Sequence, residues 1–80
     1  NLGDEAMWRK QITLSDIHWI DEKPKDGENV EVRLRHRGAL HPATINGSTL
    51  DLKDAERAVA SGQSAVIYRG KEVLGGGIVL

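Results

Sequence analysis

The sequence predicts an all-β domain, a small closed barrel of six short antiparallel-type strands with at most one helical turn near residues 54–60. Three observations predict it. Val30, Val32 and Leu34 alternate with Glu31, Arg33 and Arg35, which is the two-residue period of a half-buried strand. Turn residues recur at short intervals, at Pro24, Gly27, Asn46-Gly47, Gly62 and Gly70-Lys71, and leave room only for short elements. The run Val73-Leu74-Gly75-Gly76-Gly77-Ile78 places three glycines inside a strand, where glycine belongs when backbone must bend or approach closely. Closing the sheet removes its exposed edges, and the glycines let the last strand bend as it closes.

Taken in order, residues 1–11 are polar and aperiodic and read as a linker remnant or frayed terminus, with the barrel domain over 12–80. The chain starts at Asn1 and its one methionine is Met7, which reads as a piece of a longer protein. Ile12, Leu14, Ile17 and Trp19 alternate with a slip at Ser15-Asp16, so 11–20 is expected as a strand with a bulge. Residues 21–27 form a charged turn, followed by the arginine-bearing strand from Val30 to Arg37. Ala43–Ile45 and Thr49–Leu52 are expected as short strands joined by a type I′ turn at Asn46-Gly47. Over 53–61, helix formers with Asp54 as cap and Gly62 as stop favour one helical turn, but so short a helix is marginal and a loop is the equal alternative. Gly62 to Tyr68 and Val73 to Ile78 then form a hairpin about Gly70-Lys71.

Eighty residues make one domain with a small core. The absence of cysteine excludes disulfides, thiolate metal sites and cysteine nucleophiles, and fits a cytoplasmic setting. No apolar run approaches the roughly 18 residues of a membrane-spanning helix. A net charge of −1 means that any contact with nucleic acid must come from a local patch.

The clearest such patch is Arg33, Arg35 and Arg37, on one strand face at steps of about 6.5–7 Å, with His36 and His41 nearby. Guanidinium groups at that spacing suit phosphates. The competing reading is a solvated outer face balanced by Asp26, Glu28 and Glu31. Gln63, following Gly62 at a strand start, either projects from a loop rim towards a base edge or stabilises its own turn. The three histidines have no metal-ligand spacing. Ser15, Asp16 and His18 have triad chemistry without triad order. The glycine run lacks the Lys-Ser/Thr of a phosphate loop. Trp19 reads as core rather than as a stacking platform.

These elements, in their order, resemble the C-terminal domain of bacterial tRNA-specific 2-thiouridylases, whose older name is (5-methylaminomethyl-2-thiouridylate)-methyltransferase. The likeness rests on Asp16-Ile17-His18-Trp19-Ile20, the Arg-x-Arg strand through Arg37, Ala43-Thr44, Arg57-Ala58-Val59 with Gly62-Gln63-Ser64-Ala65-Val66, Tyr68, and Val73 to Ile78. The resemblance implies a β-barrel similar to the second domain of translation elongation factors. It implies a parent enzyme in which an ATP-using N-terminal domain, with two catalytic cysteines, 2-thiolates the wobble uridine of tRNAs for Lys, Glu and Gln. That domain is not part of this sequence, so the piece is expected to be noncatalytic and to need no cofactor itself. The family's tRNA contacts fall on Arg35, His36 and Gln63. His36 stands where tyrosine is usual, Gly38 where glutamine is common, and Ala60-Ser61 where Thr-Pro is usual, which weakens stacking and loop rigidity there. The expected function is a tRNA-binding barrel that helps position the anticodon arm. The alternative is a structural module that docks on its own catalytic domain without touching RNA.

Overall fold

The computed structural model describes residues 8–34, 38–57 and 59–80. Six strands, β1 (Trp8–Trp19), β2 (Glu28–Arg33), β3 (Leu40–Asn46), β4 (Thr49–Arg57), β5 (Ser64–Arg69) and β6 (Glu72–Val79), close into a barrel in the order β1-β4-β3-β2-β5-β6. All six neighbouring pairs are antiparallel. Alternation directs Ile12 and Leu14 of β1, Val30 and Val32 of β2, Ala43 and Ile45 of β3, Leu50 and Leu52 of β4, and Ala65 and Ile67 of β5 inward. Leu34, Val59, Leu74 and Val79 complete an entirely aliphatic core, with Ile17 and Trp19 packed on its edge.

Closure depends on β1, which serves two partners. Its first half pairs with β4 and its second with β6. The change of partner coincides with the expected bulge. Leu14 and Ser15 oppose Val79 and Ile78, but His18 opposes Gly76, so β1 holds one residue more than β6 across the interval. Asp16 sits there at φ 51°, a left-handed conformation that Asp tolerates better than most residues. The glycines opposite explain themselves by contact. A Cβ on Gly75 would lie 2.2 Å from the His18 carbonyl oxygen and 2.8 Å from the Trp19 ring, and one on Gly76 would lie 2.6 Å from the Ala65 carbonyl oxygen. The bare backbone permits strand approach on both flanks of β6.

The structure differs from the sequence reading at three places. β1 starts at Trp8, so residues 8–11, read with the terminal segment, are strand. The helical turn considered for 54–60 is not taken at the described residues, because β4 runs on to Arg57. These two differences share one cause: Trp8 pairs with Arg57 and Arg9 with Glu56, so each unexpected strand end supplies the other's partner. The third is the β3–β4 turn. Asn46 pairs with Thr49, which makes Gly47-Ser48 the central residues. Only Gly47 has positive φ (60°), which matches a type II′ pattern with glycine first rather than type I′ at Asn46-Gly47.

Candidate nucleic-acid interface

Arg33 ends β2, between Leu40 of β3 and Val66 of β5 in the register. It points outward because Val32 beside it is fully buried. Its guanidinium carbon lies 5.2 Å from the centre of the Tyr68 ring. Tyr68 opposes Glu31, so it reaches Arg33 diagonally across the β2–β5 pair. The Arg33 Nε is buried and has no hydrogen-bond partner among the described residues. The stem is thus held by the aromatic face, a cation–π contact of about 0.5–2 kcal/mol depending on exposure.

Arg33 differs in this from Arg69. Arg69 Nε and Nη2 donate to Glu28 Oε2 at 2.7 and 2.6 Å, and its Nη1 lies 3.6 Å from Glu72. The hydrogen bond from Arg69 holds the Glu28 carboxyl below its ordinary 4.5, assisted by the Lys25 backbone N–H against the cost of burial. The same pairing raises Arg69. Arg69 is thereby a structural clamp between β2 and β5, while among the described residues no ion pair engages Arg33.

Gln63 takes the turn-stabilising option. Its side-chain oxygen accepts from the Ala60 N–H at 3.2 Å, and its Nε2 donates to the Leu34 carbonyl. Its own N–H donates to the Ala60 carbonyl, and its carbonyl accepts from Val79. The amide therefore stitches the loop before β5 to the end of β2 rather than projecting freely. Beside it, Leu34, Gly38, Ala39, His41, Glu56 and Val59 line a small cavity of about 170 Å³ at the barrel's end. His41 Nδ1 lies 3.3 Å from Glu56 Oε2 there.

Of the five expected contact residues, Arg33 and Gln63 fall within the described structure, where Gln63 bonds the carbonyl of Leu34, the residue after Arg33. Arg35, His36 and Arg37 lie outside the described residues. The sequence pattern alone does not mark Tyr68 as a site residue. Alternation alone turns it outward, but only the cross-strand register places it under Arg33. Among the described residues no cluster of His, Asp or Glu forms a metal site. Ser15 Oγ approaches Asp16 Oδ2 at 3.5 Å and the Ile78 carbonyl at 3.4 Å, which is a bulge contact and no triad.

Over residues 9–79 the sequence matches the family described as the aminomethyltransferase beta-barrel domain. The chain belongs to that family. It is similar along nearly its whole length to proteins named tRNA-specific 2-thiouridylase MnmA. The protein from Desulforudis audaxviator is 31% identical over 81 residues, covering 95% of this chain and 24% of the relative. Those from Rickettsia felis and Wolbachia pipientis are 35% and 36% identical, covering 92% and 90% of this chain and 22% and 21% of the relatives. The chain spans about a quarter of the length of these relatives. In this aminomethyltransferase-type barrel, the match runs from β1 to the end of β6, and so includes Arg33, Gln63 and Tyr68.

Proposed function

We propose that this barrel is the noncatalytic, tRNA-contacting module of a tRNA 2-thiouridylase working in the cytoplasm. The remaining three quarters of such a protein, using ATP, would 2-thiolate the wobble uridine of tRNAs for Lys, Glu and Gln, and the barrel would help hold the anticodon arm. The observation that carries this reading is Arg33, an outward guanidinium laid on Tyr68 with no carboxylate partner among the described residues. It leads directly into Arg35, His36 and Arg37. The names of the full-length relatives supply the substrate class. Gln63 contributes by fixing the Leu34 end of this segment, so its role is to position the arginines rather than to read a base.

Titrating the 80-residue chain with an anticodon stem-loop, followed by amide NMR, tests the reading. Shifts should gather on Arg33, Arg35, His36 and the Gln63 loop. Shifts confined to the far end of the barrel, around Asp21 and Lys25, would refute it. A second reading, docking on the protein's own catalytic domain, draws support from Ile20 and Val73, which are 64% and 40% exposed and adjoin one hollow. Under that reading, substituting Arg33 would lower the stability of the full-length enzyme and leave tRNA affinity intact.

A further inference from the structure

One row of outward residues crosses four strands. His18 of β1 faces Gly76 of β6, Gly76 faces Val66 of β5, and Val66 faces Arg33 of β2. At about 4.8 Å per strand the row spans roughly 14 Å. Gly76 contributes no side chain, so the surface dips between His18 and Val66. The hollow is lined by these three residues with Ile20, Val73 and Gly75. Tyr68 flanks it through its pairing with Val73, and carries the Arg33 guanidinium on its face. The barrel wall thus offers a shallow apolar hollow bordered by a stacked cation on one side and an imidazole on the other.

We infer that this face is a stacking platform for an unpaired nucleobase of RNA. The base of a nucleotide has an apolar face for Gly76 and Val66, and its edge acceptors and the backbone phosphate offer partners to Arg33 and His18. An aliphatic protein side chain would fill the hollow and leave the guanidinium donors unanswered. A paired base cannot enter, because its faces are covered by its neighbours in the stack. Sheet surfaces with exposed aromatic and arginine planes bind single-stranded nucleic acid in this way, with little dependence on sequence. The inference rests on the RNA-contacting reading and extends it to a second surface, on Tyr68 and the β5–β6 wall.

The test compares two RNAs with equal numbers of phosphates, a hairpin with an unpaired loop and a blunt duplex, by fluorescence anisotropy with the 80-residue chain. Tyr68→Leu keeps apolar bulk and removes the π face, while Arg33→Lys keeps charge and removes the plane. Tyr68→Leu should weaken hairpin binding by about tenfold or more and change duplex binding by less than about twofold, while Arg33→Lys should weaken hairpin binding more than duplex binding. Unchanged hairpin affinity in Tyr68→Leu, with both RNAs still bound, would overturn the platform and leave the RNA reading standing. Failure of the unsubstituted chain to bind either RNA would overturn both. If Tyr68→Leu does not fold, methyl shifts at Val66 in the unsubstituted chain decide instead. Shifts with the hairpin and not the duplex support the platform, and their absence with the hairpin removes it.

Discussion

Gly75→Ala is the perturbation that most directly probes how the barrel closes. The new Cβ would lie 2.2 Å from the His18 carbonyl oxygen, whereas ordinary contact begins at 3.4 Å. The offending atom is backbone, so no rotamer change relieves it, and β1 must back away from β6 by about 1 Å. A ladder hydrogen bond stretched by that amount is no longer one. One or two such bonds, at about 1 kcal/mol each, add to the ~1–3 kcal/mol typical of overpacking. The expected loss is therefore about 2–5 kcal/mol. For a domain of this size each kcal/mol moves the midpoint by roughly 4–8 °C, so the thermal midpoint should fall by at least about 8 °C. Circular dichroism melts and urea titrations measure it. Gly70→Ala is the control, since it has positive φ (61°) with nothing within 4 Å of the new atom. It should cost only the left-handed penalty of about 1–2 kcal/mol. Combining Gly75→Ala with Trp19→Leu removes the 2.8 Å ring contact and leaves the carbonyl contact, so rescue should be partial. A Gly75→Ala midpoint within about 3 °C of the original would refute close backbone approach as the reason for glycine here.

Three further outcomes are expected. Glu28→Gln should shift the urea midpoint at neutral pH and lose that effect in acid. Glu28 is held below 4.5 in the fold, so its contribution is complete above that value and disappears as pH falls through the lower, folded one. An effect that grows on acidification would contradict the pairing with Arg69. Gln63→Ala removes one acceptor and one donor that join Ala60 to Leu34, and should cost about 1–3 kcal/mol in thermal unfolding with no RNA present. Stability unchanged by that substitution would return the amide to the role of a free RNA contact. The salt dependence of stem-loop binding should be shallow, with a log–log slope of roughly −2 to −3 for about three phosphate contacts, and Arg33→Ala should flatten it by about one contact.

What was legible in the sequence is what local pattern encodes. The alternation from Val30 to Leu34 announced the inner and outer faces of β2. The phase slip at Ser15-Asp16 located the bulge on which β1 changes partner, and the three glycines announced close strand approach. What was not legible depends on partners distant in the chain. Asp54–Arg57 has helix-forming residues, and becomes strand because Trp8 and Arg9, nearly fifty residues earlier, offer a ladder. A single-residue shift in the β3–β4 hairpin moved the turn from Asn46-Gly47 to Gly47-Ser48, since both dipeptides satisfy turn chemistry and only the register chooses. The Arg33–Tyr68 stack was invisible for the same reason: each residue faces outward by alternation, but their meeting is a property of the β2–β5 register.

The same register bears on how a domain of net charge −1 would hold RNA in the proposed role. Several carboxylates around the barrel are engaged internally. Glu28 is clamped by Arg69, Glu56 faces His41, Asp51 accepts from Gln11, and Asp26 accepts from the Gly47 N–H. Those contacts turn acidic groups to the service of strand joining, and among the described residues the cation at the end of β2 is held by a ring instead of by a carboxylate. An arginine held by an aromatic face keeps its donors for an incoming phosphate without first breaking an ion pair, which lowers the cost of desolvating the site. Few such groups mean weak binding by the barrel alone. In the proposed full-length enzyme, tethering it to a catalytic domain that grips the same tRNA would convert that weak contact into an intramolecular one, where effective concentration rather than intrinsic affinity sets occupancy. On the proposed reading, a barrel that contacts an exposed base beside a domain that performs the chemistry would need no strong charge of its own.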